Sequence, residues 1–321
     1  MNSLSKFQQV GRPIESALAI QVADDGLPDF FIVGAGKSGT TALYEYLSAH
    51  PSVFMSTMKE PAYFCSDIKG TNGVRSLDEY RALFGGAKPE AMIGEASAMY
   101  LFSSVAIERI MSANPLAKVI VMLRKPEDAA RALHQHCLIL LREDLENFED
   151  AWHAQPLRAK GLRLPANCPE PKVLQYGEVF SYASQIQRVL SFVPEGQRHF
   201  IIYEEFFSDP LTHYAEVLKF IGLPSDGRTE FPIVNGARKN RSKAFARLLN
   251  MAARDSFPFS IPRRLAHALG LHPLKALADM NSVPVEKVRL RPAFAAELRE
   301  YFAPDVARLE TLLGRRLKVW L

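Results

Sequence analysis

The segment DFFIVGAGKSGTTALYEYLSA, from Asp29 to Ala49, constrains the fold more than any other stretch of the chain. Phe30, Phe31, Ile32 and Val33 are aromatic or β-branched with no polar alternation, the pattern of a strand covered on both faces in a parallel sheet. Gly34, Ala35 and Gly36 allow a sharp turn, and Lys37-Ser38-Gly39-Thr40-Thr41 opens a helix that continues through Leu43, Tyr44, Tyr46 and Leu47. A strand, a glycine turn and a helix start in that order make an anion site, because unpaired amide N–H groups and the helix dipole converge on the turn. Lys37 adds a full positive charge there, and Ser38, Thr40 and Thr41 add hydroxyl donors. The turn is expected to hold a phosphate or a close chemical relative.

The loop imitates a nucleoside-triphosphate loop without completing it. That motif places a glycine five positions before its Gly-Lys pair, and here the position is Phe31. A magnesium-dependent enzyme also needs a strand that ends in an acidic metal ligand. The clearest later strand, Lys118 to Leu123 (KVIVML), ends instead in Arg124, which favours direct binding of an anion.

With 321 residues and no internal repeat, the chain suits one large α/β domain. The net charge of +4 fits anionic ligands and falls short of a nucleic-acid-binding signature, so no nucleic-acid partner is expected. Cys65, Cys137 and Cys168 show no metal spacing and cannot make a full disulfide framework, as in a reducing compartment. No apolar run reaches membrane-span length and the first residues lack a signal-peptide core, so no membrane partner and a cytoplasmic location are expected. Residues 1–27 are polar and broken by Pro13 and Gly26, reading as a flexible extension before a domain over 28–321. About 142–175 the chain carries Pro156, Pro165, Pro169 and Pro171, and reads as a loop-rich insertion, a candidate lid or acceptor wall.

GAGKSGTTALYEYL resembles the 5′-phosphosulfate loop of sulfotransferases that use 3′-phosphoadenosine 5′-phosphosulfate (PAPS). HPSVFMSTMKEPAYF, from His50 to Phe64, is similar to the segment that follows it in carbohydrate-type and bacterial members, and the likeness extends more weakly almost to the C-terminus. The resemblance implies a three-layer, P-loop-like α/β domain with a mostly parallel central sheet flanked by helices. It implies PAPS as co-substrate, its bisphosphate product PAP, no metal, and a small-molecule or carbohydrate acceptor. Nucleotide contacts then fall on Gly36, Lys37, Ser38, Gly39, Thr40 and Thr41, with Lys37 stabilising the leaving phosphate.

Transfer to a hydroxyl also needs a base, and a carboxylate soon after the next strand can face the loop at the carboxyl edge of a parallel sheet. The family's glutamate in the matching place, ahead of an aromatic pair, is Glu60, with Tyr63-Phe64 as the pair. Lys59 reads either as a substrate contact or as a surface charge, and Tyr63 as an acceptor contact. GEASAMY, Gly94 to Tyr100, resembles the family's Glu-Lys-Ser/Thr-Pro-x-Tyr segment near the acceptor. It gives Glu95, Ser97 and Tyr100 as substrate contacts, with Ala96 in place of the lysine, Ala98 in place of the proline, and a structural role as the alternative.

Arg124 matches the arginine of the family's 3′-phosphate site, whereas the serine eight residues later is Ala132. Lys239, Asn240 and Arg241 stand where a late Lys-Gly-Arg-like loop closes over the nucleotide. His134 and His136 share one apparent helix but face different sides. Small-molecule sulfotransferases often use a histidine base, which keeps His134 as a second candidate. A P-loop-type nucleotide kinase and a non-catalytic nucleotide-binding protein stand as alternatives.

Overall fold

The first buried run forms β1 (Phe30–Gly34), and the turn after it leads into α1 (Thr40–Ser48). The computed structural model describes residues 26–70, 73–232, 238–242, 245, 246, 248, 277, 280–284 and 289–321. The expected extension over 1–27 lies outside them except for its last two residues. After α1 the chain runs through β2 (Val53–Met55), α2 (Leu77–Ala82), β3 (Met92–Ala96), α3 (Ala106–Ala113), β4 (Lys118–Leu123) and α4 (Pro126–Ile139). It continues through α5 (Phe148–His153), α6 (Gln155–Ala159), α7 (Tyr176–Val179), α8 (Tyr182–Phe192), β5 (Arg198–Ile202), α9 (Tyr203–Ser208) and α10 (Pro210–Ile221). A short antiparallel pair, β6 (Arg238–Asn240) with β7 (Ser282–Pro284), and the long α11 (Pro292–Leu313) complete the described elements.

The central sheet has five strands in the order β2-β3-β1-β4-β5, and every neighbouring pair is parallel. Alternation along β1 explains the three layers. Phe30 and Ile32 point into one apolar core with Leu43, Leu47, Val217 and Leu218, under α1 and α10. Phe31 and Val33 point into the other, with Ile107, Ile186, Leu298 and Phe302, under α3, α8 and α11. Both faces of β1 are covered by apolar layers, which is why FFIV carries no polar residue.

Local chemistry sets the helix starts. Pro126 begins α4, where a missing N–H costs nothing, and Glu127 and Asp128 occupy the positive first turn. Ser76 caps α2, accepting from the Glu79 amide at 3.2 Å while the Glu79 carboxylate reaches back.

The segment about 142–175 carries short helices between irregular stretches such as 160–170. It folds into α5, α6 and a 3-10 turn at Pro171–Leu174, and Pro156 sits in the first turn of α6 instead of breaking it. The segment is pinned by a fork between Arg158 and Glu143, with Nη1 to Oε2 and Nη2 to Oε1 both 2.6 Å. The Tyr176 hydroxyl adds a third donor at 2.6 Å, and both charged side chains are fully buried. Among the described residues, no helix is long and apolar enough to cross a membrane.

Candidate active site

Three groups meet at the carboxyl edge of the sheet because three neighbouring strands end there. Lys37 follows β1, the central strand; Arg124 follows β4 on one side. On the other side the Glu60 amide donates to the Ala96 carbonyl, at the end of β3, at 3.0 Å. Parallel strands deliver all three to one crevice, the place where open α/β sheets take ligands.

The loop after β1 is held tightly from behind. Ala35 N donates to Met122 O at 2.5 Å, and Leu101 N donates to Val33 O at 2.8 Å. Gly34 has φ +143°, and a Cβ there would meet Ala98 O at 2.6 Å and Leu101 Cβ at 2.8 Å, so the turn needs glycine. Gly39, the N-cap of α1, has φ +89° and packs so closely that a Cβ would lie 2.9 Å from Phe207. It supplies no side-chain cap, and the first turn holds no acidic residue. The amides of Thr40 and Thr41, having no intrahelical acceptor, are left for an anion. A Cβ on Gly36 would meet nothing within 4 Å, so the loop faces open space on that side.

Lys37 adopts φ +63°, uncommon for a residue with a side chain. Burial lowers its pKa, and Lys59 and Arg124 lower it further, whereas Glu60 acts in the opposite sense. Arg124 donates from Nη1 to the Lys37 carbonyl at 3.1 Å, and its guanidinium lies 4.4 Å over the Tyr203 ring. Its Nε is buried with no hydrogen-bond partner among the described residues. The peptide after Arg124 is clamped from both sides. Tyr182 donates to the Arg124 carbonyl at 3.1 Å, and Lys125 N donates to Glu204 Oε1 at 3.0 Å. Glu204 Oε2 in turn accepts Trp320 Nε1 at 2.8 Å.

Glu60 also lies in the left-handed region, at φ +62°. Lys59 Nζ stands 2.5 Å from its Oε1, and Ala98 N donates to its Oε2 at 2.8 Å. Its side chain is nonetheless 42% exposed, so the carboxylate is oriented and still open to a substrate.

Other expected residues fall elsewhere. Glu95, Ser97 and Tyr100 are fully buried beneath the Glu60 turn and present no side chain to an acceptor. Tyr63, partly buried, stacks on Tyr80 at 4.6 Å. Ala96 is fully buried in the core under α1. Ala132 lies partly buried on α4, which packs along β6. Lys239 and Asn240 belong to β6, where a free loop had been expected; their side chains lie outside the described residues. Arg241 is exposed, its amide donating to Asn281 O at 2.6 Å.

His134 is turned into the core. Its Nε2 lies 2.8 Å from Leu145 O, and its ring packs on Phe148 and Tyr176, which makes it unsuited to take a proton from a substrate. The histidine that faces the site is His136. Burial pushes its pKa down to about 3, and the neighbouring charges of Lys37, Arg142 and Lys59 push the same way. Helical spacing shows that the two histidines point apart, but which one meets the site depends on how α4 packs. Tyr182, Tyr203, Glu204 and Trp320 were missed because they act on Arg124 from distant stretches. A strand followed by an acidic pair, as in FIIYEE, was the one sequence signal for Glu204.

This fold, with a cation-lined crevice at the glycine loop, defines an α/β group-transfer domain built for an anionic donor. The Sulfotransferase domain model matches residues 27–254, most of the chain, and the chain belongs to that family. It is 33% identical over 211 residues to the human bifunctional heparan sulfate N-deacetylase/N-sulfotransferase 3, covering 62% of this chain and 23% of that protein. It is 26% identical over 198 residues to mouse heparan sulfate glucosamine 3-O-sulfotransferase 5, covering 62% of this chain and 54% of that one. The chain thus spans about a quarter to about half of these relatives. The crystal structure of a sulfotransferase from Alicyclobacillus acidocaldarius superposes with a TM-score of 0.67 at 29% identity, covering 92% of this chain and 98% of that one.

Proposed function

We propose that this chain moves the sulfuryl group of PAPS to a hydroxyl of a carbohydrate or small-molecule acceptor, with Glu60 as general base. The observation that carries the reading is the order Glu60, Lys37, Arg124 across the ends of β3, β1 and β4. A base and two cations flank a loop whose helix amides are uncapped. The residues present fit such a donor: Gly36 leaves space, and Arg124 Nε is a buried donor still unpaired. The nucleotide, when bound, supplies an activated sulfuryl group and a phosphate leaving group.

The chain's own groups do the rest. The loop amides and the hydroxyls of Ser38, Thr40 and Thr41 would hold the donor's 5′ end, and Arg124 its 3′-phosphate. Lys37 holds positive charge where negative charge grows on the leaving oxygen. Glu60 accepts the acceptor's hydroxyl proton, with Lys59 orienting the carboxylate. His136, neutral between its cationic neighbours, can hydrogen-bond a hydroxyl without adding charge. The two relatives named for heparan sulfate support a carbohydrate acceptor. Ala96 lacks the lysine of the family segment, which argues for a smaller acceptor than that polymer.

Calorimetry with PAP against ATP plus magnesium, followed by sulfate transfer across a panel of sugars and phenols, tests this reading. Tight PAP binding with transfer to a hydroxyl supports it; preference for ATP plus magnesium returns the kinase alternative.

A further inference from the structure

Directly beneath Glu60 lies a second carboxylate that the reaction does not touch. Glu95 is fully buried on β3, paired across from Phe31 of β1 in an otherwise apolar layer. A buried carboxylate without a cation beside it is costly, so it calls for an explanation. Its Oε2 accepts the hydroxyls of Tyr100 at 2.8 Å and Tyr80 at 3.0 Å. Among the described residues its Oε1 has no partner.

The Tyr100 hydroxyl reaches onward to the turn that carries Glu60, and the neighbouring Ser97 touches the same turn. Ser97 Oγ accepts the Ala62 amide at 3.0 Å, and the Tyr100 hydroxyl accepts the Phe64 amide at 3.4 Å. Between these anchors and the Glu60 amide, Glu60 and Ala62 both hold left-handed backbone, at φ +62° and φ +54°. Side-chain-bearing residues keep such dihedrals only where surrounding contacts over-determine them. Glu95 stands behind one of those contacts: by accepting the Tyr100 hydroxyl proton, it leaves a lone pair of that oxygen free for the Phe64 amide.

We infer that Glu95 is a positioning residue for the transfer reaction, setting the left-handed Glu60 turn through the hydroxyl of Tyr100. The inference rests on Glu60 acting as the base. The ionised form of Glu95 accepts from the hydroxyls of Tyr80 and Tyr100 at once and holds the turn best. Burial pushes its pKa up to about 7, with the hydroxyls of Ser97, Tyr100 and Tyr80 opposing and the charge of Glu60 adding to the rise. The titratable groups that face it are Tyr80 from α2, Tyr100 from the turn after β3, and Glu60 and Cys65 from the segment after β2. Turnover should therefore rise with pH through a limb near 7.

The test compares Glu95→Gln, Tyr100→Phe and Glu60→Gln for PAP affinity, turnover and the pH profile of turnover. The inference expects Glu95→Gln to bind PAP as the wild type does, to lose about tenfold in turnover, the worth of one hydrogen bond, and to lack the limb near 7. Tyr100→Phe, which keeps the ring and should fold even where Glu95→Gln does not, loses severalfold in turnover with PAP affinity unchanged. Wild-type turnover and an intact limb in Glu95→Gln, or in Tyr100→Phe if only that variant folds, overturn the inference. So does a loss of PAP affinity in step with turnover, which marks a general structural role. Glu60→Gln separates the two claims: if it is slow while Glu95→Gln is normal, only the positioning role falls, and if it is as fast as wild type, the base assignment falls first.

Discussion

Arg124 donates to the carbonyl of Lys37 at 3.1 Å, so the cation at the end of β4 fixes the backbone of the cation at the end of β1. One side chain thus both braces the glycine loop and offers its remaining N–H groups to a ligand. Arg124→Ala should weaken PAP binding by about a hundredfold, the scale of one or two charge-assisted hydrogen bonds. Arg124→Lys should recover only part of that loss, because an ammonium cannot hold the Lys37 carbonyl, lie flat on Tyr203 and fork onto a phosphate together. Calorimetric Kd values for both variants check this.

The two histidines of α4 should separate cleanly. His134→Phe leaves the partly buried Leu145 carbonyl without this partner and should cost about 1–3 kcal/mol of stability with little change in turnover per folded molecule. His136→Ala should do the reverse: an almost unchanged melting temperature and a turnover about tenfold lower, the worth of one hydrogen bond to substrate. Thermal unfolding and initial rates on the same preparations decide it. A drop in turnover confined to His134→Phe would reverse the assignment.

The fork between Glu143 and Arg158 should make the 142–175 segment sensitive to losing either partner. Arg158→Met leaves an uncompensated buried carboxylate and should cost about 3–5 kcal/mol in chemical denaturation. Burial alone would raise the Glu143 pKa, but hydrogen bonds from Arg158 and Tyr176 outweigh it and hold the group at about 2. A lowered carboxylate contributes stability that is fully present above its ordinary value and is lost as pH falls toward the folded value. Wild-type stability should therefore drop between about pH 4.5 and pH 2, and the drop should shrink in Glu143→Gln.

Glu95 has the opposite sign. Its pKa is raised from 4.5 to about 7, so the folded state binds the extra proton and stability falls as pH rises between those values. Glu95→Gln should gain on the wild type by up to about 3 kcal/mol in going from about pH 5 to pH 8, by linkage. Urea midpoints at both ends of that range measure it, and parallel curves would contradict it.

The parts that could be read from the chain are those that short-range sequence dictates. FFIVGAGKSGTT specifies strand, turn and helix start within twelve residues, and Arg124 follows a strand whose end was plain. Glu60 is singled out by the likeness of HPSVFMSTMKEPAYF to the family segment, together with its place soon after the second strand. What stayed hidden depended on distant partners. Glu95 looked like a site residue, but its side chain is covered by Tyr80 from α2. Of the prolines about 142–175, Pro165 and Pro169 lie in irregular chain while Pro156 and Pro171 start helical turns, and the fork joining residues 15 apart leaves no local signature. Trp320 reaches Glu204 across 116 residues, a pairing that no local pattern marks.

The most direct measurement is turnover of Glu60→Gln, taken with its affinity for PAP. The variant keeps the shape of the side chain and removes its capacity to take a proton. PAP affinity close to wild type with turnover at least about a hundredfold lower is the expected result. Turnover equal to the wild type would show that the carboxylate beside Lys59 is not the base, and would contradict the mechanism.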